Sequence, residues 1–253
     1  MKKYVVTAAA LLILVSAVFL LPRETYSNKI RIGVADDSSE VIFKYMEDNK
    51  SSLKFDINKE FETFGVKDCC SSKSQWALSS GKVDISIMCP SSAEALVKKD
   101  HRFKIISPLI LNSDIFVIKK GTDANKIKKI GVSTNRTYQN NMVKDKFGNN
   151  CQAVPMLYSS LPYALEKGIV DGILTDYAKA EQLEGDKYSS YSGIDNVNYV
   201  LVTSKEFEKD SRYKEFIAVL KEAVDKLNQS QKEVELWNKY RIKFTLTIPK
   251  EAL

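Results

Sequence analysis

The sequence predicts an α/β protein of two lobes, each built on a largely parallel sheet, with two crossover segments between them. Three observations carry this. Short apolar strands alternate with helical patterns from Ile30 to Lys119. The pattern then restarts, because Ile130-Gly131-Val132-Ser133-Thr134-Asn135 parallels Ile32-Gly33-Val34-Ala35-Asp36-Asp37. Each is a strand that delivers polar caps to a helix. Finally, Trp76-Ala77-Leu78-Ser79-Ser80-Gly81-Lys82-Val83-Asp84 matches Tyr163-Ala164-Leu165-Glu166-Lys167-Gly168-Ile169-Val170-Asp171 at a constant offset of 87. The register continues ungapped to Ala93-Glu94-x-Leu96 and Ala180-Glu181-x-Leu183, with eight of 21 positions identical. One helix–Gly–strand–helix unit therefore occurs twice.

Taken in order, Lys29–Ala35 alternates as a strand and ends in the capping residues Asp36-Asp37-Ser38-Ser39. Val41, Ile42, Tyr45 and Met46 mark the inner face of the helix that follows. Phe55, Ile57, Phe61 and Phe64 trace a second extended segment that stops at Gly65. A helix over Ser74–Ser80 ends at Gly81, Val83–Met88 is an apolar strand, and a helix spans Ser91–Lys99. Two strands follow at Phe103–Ile110 and Ile115–Lys119. Trp76 and Tyr163 occupy matched positions in the repeat and read as core residues. After the second unit, Val197–Val202 is a strand and Thr203-x-x-Glu206 a capping box. Tyr213, Phe216, Ile217, Leu220, Val224 and Leu227 form a core-facing helical stripe. A second box, Ser230-Gln231-Lys232-Glu233, opens a helix through Trp237, and Phe244–Ile248 ends the chain. This apolar tail must pack on a lobe, and the simplest return is to the first. Crossovers near Asn112-Ser113 and Asn196 then give residues 28–113 plus 197–253 as lobe one and residues 114–196 as lobe two.

Composition narrows the functions. Net charge is +6, but lysines and glutamates are interspersed, which excludes a nucleic-acid footprint. With His101 the single histidine, triads and multi-histidine metal sites have little to draw on. Lys2 and Lys3 precede an unbroken apolar run, Val5–Leu21, followed by Pro22-Arg23-Glu24. Residues 1–27 are thus an export signal, cleaved near Thr25-x-Ser27 or retained as a membrane anchor. Either outcome puts the body outside the cytoplasm, where disulfides persist.

With these features in place, residues 28–253 resemble the substrate-binding proteins of ABC transporters, on the repeated A-L-x-x-G-x-V-D units and the apolar strand plus helix after each. The resemblance implies a type II periplasmic-binding-protein-like fold that holds a small ligand between hinged lobes and works as a monomer with a membrane ABC permease. More narrowly, Asp68-Cys69-Cys70-Ser71-Ser72 with Ile87-Met88-Cys89-Pro90 resembles the SaoB-type group. Some of its members are selenoproteins, and it is associated with an organometal-lyase-like protein.

In open α/β sheets ligands bind beyond the carboxyl ends of the strands. That rule selects Asp36, Asp37 and Ser38 after the first strand, Cys69 and Cys70 before a helix, and Cys89 at the end of a strand. In lobe two it selects Ser133, Thr134 and Asn135, and then Asp176 and Tyr177. The offset sets Asp176 opposite Cys89, whereas Cys151 at a strand's amino end points away. Thiols at helix N-termini favour thiolate. Cys69, Cys70 and Cys89 together offer trigonal coordination to a soft metal or organometal ligand. A disulfide from Cys69 or Cys70 to Cys89 is the competing reading. Ser133-Thr134-Asn135 either meets an anionic group or only caps a helix. Arg136 reads as a carboxylate clamp or, more simply, a solvated surface residue. His101 reads as exposed. No resident cofactor is expected. The leading function is a solute-binding protein whose ligand is a thiophilic metal or organometal compound. An alternative binds a sulfonate-, pyrimidine- or amino-acid-like solute and uses the cysteines as a bridge. A pyrimidine-synthase-like enzyme fits least, because that chemistry uses histidines inside cells.

Overall fold

The structure, a computed structural model, describes residues 29–49, 51, 53, 61–66, 72–229 and 237–247. The Val5–Leu21 run, Phe55 and Ile57, Cys69 and Cys70, and the Ser230–Glu233 box lie outside the described residues.

The first sheet collects β1 (Ile30–Ala35), β2 (Phe61–Val66), β3 (Ile85–Met88), β4 (Phe103–Leu111), β10 (Val197–Ser204) and β11 (Lys243–Phe244) in the order β11-β4-β10-β3-β1-β2. Helices α1 (Ser39–Asp48), α2 (Ser72–Ser79), α3 (Pro90–Lys99) and α7 (Ser211–Gln229) belong with it. The second sheet, ordered β7-β6-β8-β5-β9, holds β5 (Asp114–Ile118), β6 (Lys129–Ser133), β7 (Gln152–Met156), β8 (Gly172–Asp176) and β9 (Asp186–Ser189). Helices α4 (Gln139–Phe147), α5 (Leu161–Glu166) and α6 (Tyr177–Ala180) accompany it.

The sheets are mixed rather than largely parallel. β1 runs parallel to β2 and β3, and β6 parallel to β7 and β8, because a helix connects each pair. β10 is antiparallel to β3 and β4, and β5 is antiparallel to β8 and β9. β5 is the strand on which the chain enters the second sheet and β10 the one on which it returns to the first, and each runs against its neighbours. The two passages lie side by side, with the Asn112 N–H donating to the Asn196 carbonyl at 2.9 Å and the Asn196 N–H to the Asn112 Oδ1 at 2.9 Å.

The long helix α7 buries Tyr213, Phe216, Ile217, Leu220, Ala223, Val224 and Leu227 as its spacing requires. Burial of each large apolar side chain there is worth about 1.5–3 kcal/mol. Its start differs from the sequence reading. Thr203 stays in β10 and donates to the Asp84 carbonyl, so the Thr203-Glu206 box does not form. Ser204 instead accepts from the Phe207 N–H at 3.0 Å, and Asp210 accepts from the Arg212 N–H at 2.9 Å.

The repeat is real in three dimensions, with one correction. Trp76 is 61% exposed and Tyr163 58%, so neither is a core residue. Ser74, Ala77 and Leu78 share one face of α2, and Leu161, Ala164 and Leu165 share one face of α5. Both aromatics fall two residues from the start of that i, i+3, i+4 stripe and therefore point outward.

Candidate functional site

The carboxyl ends of β1, β3, β6 and β8 converge where the two sheets approach, and side chains there bond directly from one lobe to the other. Asp176 is the centre. It ends β8 and caps α6, accepting from the Ala178 N–H at 3.0 Å. The same Oδ1 accepts from the Ser38 N–H and the Ser38 hydroxyl, each at 2.7 Å, at the start of α1 in the other lobe. Its Oδ2 accepts from Ser113 Oγ at 3.0 Å and Tyr199 OH at 2.9 Å. The side chain is fully buried. Burial and the neighbouring Asp37 carboxylate raise its pKa to about 6, against the lowering effect of Arg136, Ser38 and Tyr199.

Arg136 is 0% exposed, so the surface reading is wrong. Its Nη1 donates to Asp114 Oδ1 at 2.7 Å and its Nη2 to Tyr199 OH at 2.9 Å, with its guanidinium over the rings of Tyr199 and Tyr158. It does clamp a carboxylate, but one from its own chain. Tyr138 OH and Gln139 Nε2, each at 3.0 Å, complete the shell of Asp114. A buried guanidinium is stable only with such pairing, and its planar fork suits two acceptors at once.

The other predicted residues are spread around this centre. Asp36 stands at the exposed rim and forms a cross-lobe ion pair with Lys179. It is the next residue, Asp37, that turns inward and is 3% exposed. Ser133 is buried, and its N–H donates to Gln139 Oε1 at 2.9 Å. Thr134 and Asn135 are exposed, and α4 begins only at Gln139, so none of the three caps its first turn. The Asn135 carbonyl instead accepts from Ser91 Oγ at 2.8 Å, a second bond between lobes. Tyr177 is half-buried against Tyr240, with burial first and Glu181 next pushing its hydroxyl up to about 12.

Cys89 is buried at the N-cap of α3, its Sγ 3.6 Å from Ser91 Oγ. Asp176 meets Ser38, and it is Ser91 that reaches Asn135, so each strand end engages the opening loop of the other lobe. Cys69 and Cys70 lie outside the described residues. Cys151 is buried with Phe116, Ile130 and Val143, and burial raises its thiol pKa, followed by the Asp171 charge. His101 is exposed. Among the described residues no group of three His, Cys, Asp or Glu side chains is placed to hold a metal ion.

Asp37, Ser38, Asp114, Tyr158 and Tyr199 complete the site; the strand-end rule points to Asp37 and Ser38 and Tyr158 is a cleft-lining candidate, whereas Asp114 and Tyr199 carry no such signal. The restart alignment also pairs Arg136 with Ser38, and both reach the cleft base.

No protein-family model and no curated protein sequence matches the chain. Solved structures do. A zinc-bound ligand-binding component of an ABC-type import system from Staphylococcus aureus superposes with a TM-score of 0.69 at 16% identity, covering 89% of this chain and 88% of that one. A putative methionine-binding lipoprotein from Bacillus subtilis gives 0.62 at 14% identity, covering 87% and 99%. The periplasmic aliphatic sulphonate binding protein SsuA from Escherichia coli gives 0.57 at 13%, covering 89% and 76%. At these identities the likeness is one of fold: the chain has the two-lobed architecture of periplasmic binding proteins.

Proposed function

We propose that the chain is the solute-binding component of an ABC transporter, closing two lobes on a small ligand and presenting it to a membrane permease. In this reading residues 28–113 and 197–253 form one lobe, residues 114–196 the other, and residues 1–27 export or anchor the protein outside the cytoplasm. It acts as a monomer and catalyses no reaction. The crossed bonds at the strand ends, Asp176 to Ser38 and Ser91 to Asn135, are the observation that carries this. They lie where open α/β sheets place ligands, and they break and form as lobes hinge. Native mass spectrometry of the exported protein tests the reading by finding a bound small molecule. Returning that molecule to stripped protein at 100 times its Kd raises unfolding free energy by about 2.7 kcal/mol. A protein that carries and accepts no solute contradicts the proposal.

A second reading follows the narrower SaoB-type resemblance and has Cys69, Cys70 and Cys89 capture a soft metal or organometal compound. Cys89 favours it by position, two residues from the bridging Ser91. Mercury or arsenite binding that survives a Cys69/Cys70/Cys89 triple serine variant excludes it.

A further inference from the structure

The solute-binding reading is the basis for an inference about the solute's chemistry, because charge does not balance at the base of the cleft. Among the described residues the cluster holds three buried carboxylates, Asp37, Asp114 and Asp176, and one buried cation, Arg136. Arg136 bonds Asp114, which leaves the surplus on Asp37 and Asp176. Carboxylates out of water need a partner charge, a proton or a full set of donors.

Donors and acceptors are unequally supplied as well. The groups that would receive an anionic solute are filled from within: the Ser38 N–H and hydroxyl, the Ala178 N–H, and the Ser113 and Tyr199 hydroxyls all donate to Asp176. A sulfonate or carboxylate at the start of α1 would have to displace the protein's own carboxylate. Acceptors, by contrast, are in excess. Among the described residues Asp37 accepts one side-chain hydrogen bond, from the Ser39 N–H of its own loop to Oδ1 at 2.9 Å. The hydroxyl of Tyr158 is out of contact with solvent and, with the Thr175 side chain beside it, makes no hydrogen bond of good geometry among the described residues. It lies close enough to Asp176 and Asp37 that both carboxylates, after burial, hold its pKa well above the usual tyrosine range. Tyr158 is therefore a neutral hydroxyl beside two carboxylates, with the Arg136 guanidinium over its ring.

Asp37 stands on the loop after β1 and Tyr158 on the turn after β7, one in each lobe. An ammonium group supplies what both lack, since it carries positive charge and up to three N–H donors. Among the described residues no group of three His, Cys, Asp or Glu side chains is placed to hold a metal ion, which favours an organic cation. We propose that the cleft selects solutes carrying a protonated amine, received by Asp37 and the Tyr158 hydroxyl from opposite lobes. Pairing a buried carboxylate with a charged donor is a strong, short-range interaction, and it forms only when the lobes close.

Calorimetric titration of the whole exported protein tests this with twins that differ in the cation alone: ethanolamine against ethylene glycol and putrescine against butanediol, with ethanesulfonate as the anion. The expected result is an amine that binds at least roughly 30-fold more tightly than its uncharged twin. Asp37→Asn then weakens it by roughly 30-fold and Tyr158→Phe by about 5-fold, with circular dichroism unchanged. If ethanesulfonate binds most tightly and contracts the protein in small-angle scattering, the amine inference falls and the receptor reading stands. Equal amine affinity in wild type and Asp37→Asn also overturns the inference. If no compound binds or raises the Tm, the amine inference falls, and the receptor reading is decided by the solute found in native mass spectrometry.

Discussion

The two copies of the repeated unit share a backbone and differ in what they put at the cleft. Gly81 and Gly168 end their helices at φ +70° and +67°. In both, the glycine N–H bonds three residues back and the next N–H five back. Asp84 then holds β1 and Asp171 holds the start of β6, in each case the parallel neighbour of the strand that follows the aspartate. Asp84 accepts from the Arg31 N–H at 2.9 Å and from its guanidinium, and Asp171 accepts from the N–H groups of Lys128 and Lys129 at 2.7 and 2.8 Å. The next position that matters is where they part. Cys89 and Asp176 have matching dihedrals, φ −66°, ψ 149° and φ −65°, ψ 148°. Asp176 caps its helix and bonds across the cleft, whereas the Cys89 side chain makes no cap bond. The unit is thus a shared scaffold, and the residue at its strand end, Cys89 or Asp176, is where the chemistry of the two lobes diverges.

Substitution at the strand end gives the largest expected effect. Asp176→Ala strips the acceptor from five buried donors and should cost about 3–5 kcal/mol in urea unfolding. Cys89→Ala loses only a small buried side chain, about 1 kcal/mol. Equal costs at the two sites would break the asymmetry. At the shared position, Gly81→Ala and Gly168→Ala each force a side chain into the left-handed region, for about 1–2 kcal/mol apiece. Costs that differ by more than the smaller of the two would show that the helix ends are not equivalent.

The pH dependence sharpens the same contrast. The folded pKa of Asp176, about 6, is raised above the ordinary 3.8, so the folded state binds its proton more tightly. The resulting stability is fully present below about pH 4 and is lost as pH rises through about 6. Unfolding free energies from pH 4 to 7.5 should carry this downward contribution, and Asp176→Asn should remove it. The smallest effect is reserved for the outward aromatics. Trp76→Ala and Tyr163→Ala should each stay within about 0.5 kcal/mol of wild type, since both side chains are mainly solvated.

Much of the scaffold was legible in the sequence because local rules set it. The offset of 87, the two glycine helix ends and the α7 stripe all depend on short spacings. The matched aromatics are exposed: correspondence between copies does not require burial, and the i, i+3, i+4 stripe excludes both. The site was less legible for a different reason. Asp36 and Asp37 are adjacent and chemically alike, and only the path of the chain after β1 decides which one turns inward. Arg136 is buried because Asp114 and Tyr199 meet it from other strands, and partners 22 and 63 residues distant leave no local mark. The antiparallel strands β5 and β10 likewise follow from the chain's passage between sheets rather than from any local pattern.

In the proposed function two lobes close on a solute at the Asp176–Ser38 contact. The most direct test is the radius of gyration of the exported protein by small-angle scattering, with and without its tightest-binding solute. The expected result is a more extended solute-free form that contracts on binding, with the contraction lost in Asp176→Ala. Tight binding with no change in radius, or the same contraction in Asp176→Ala, would contradict it.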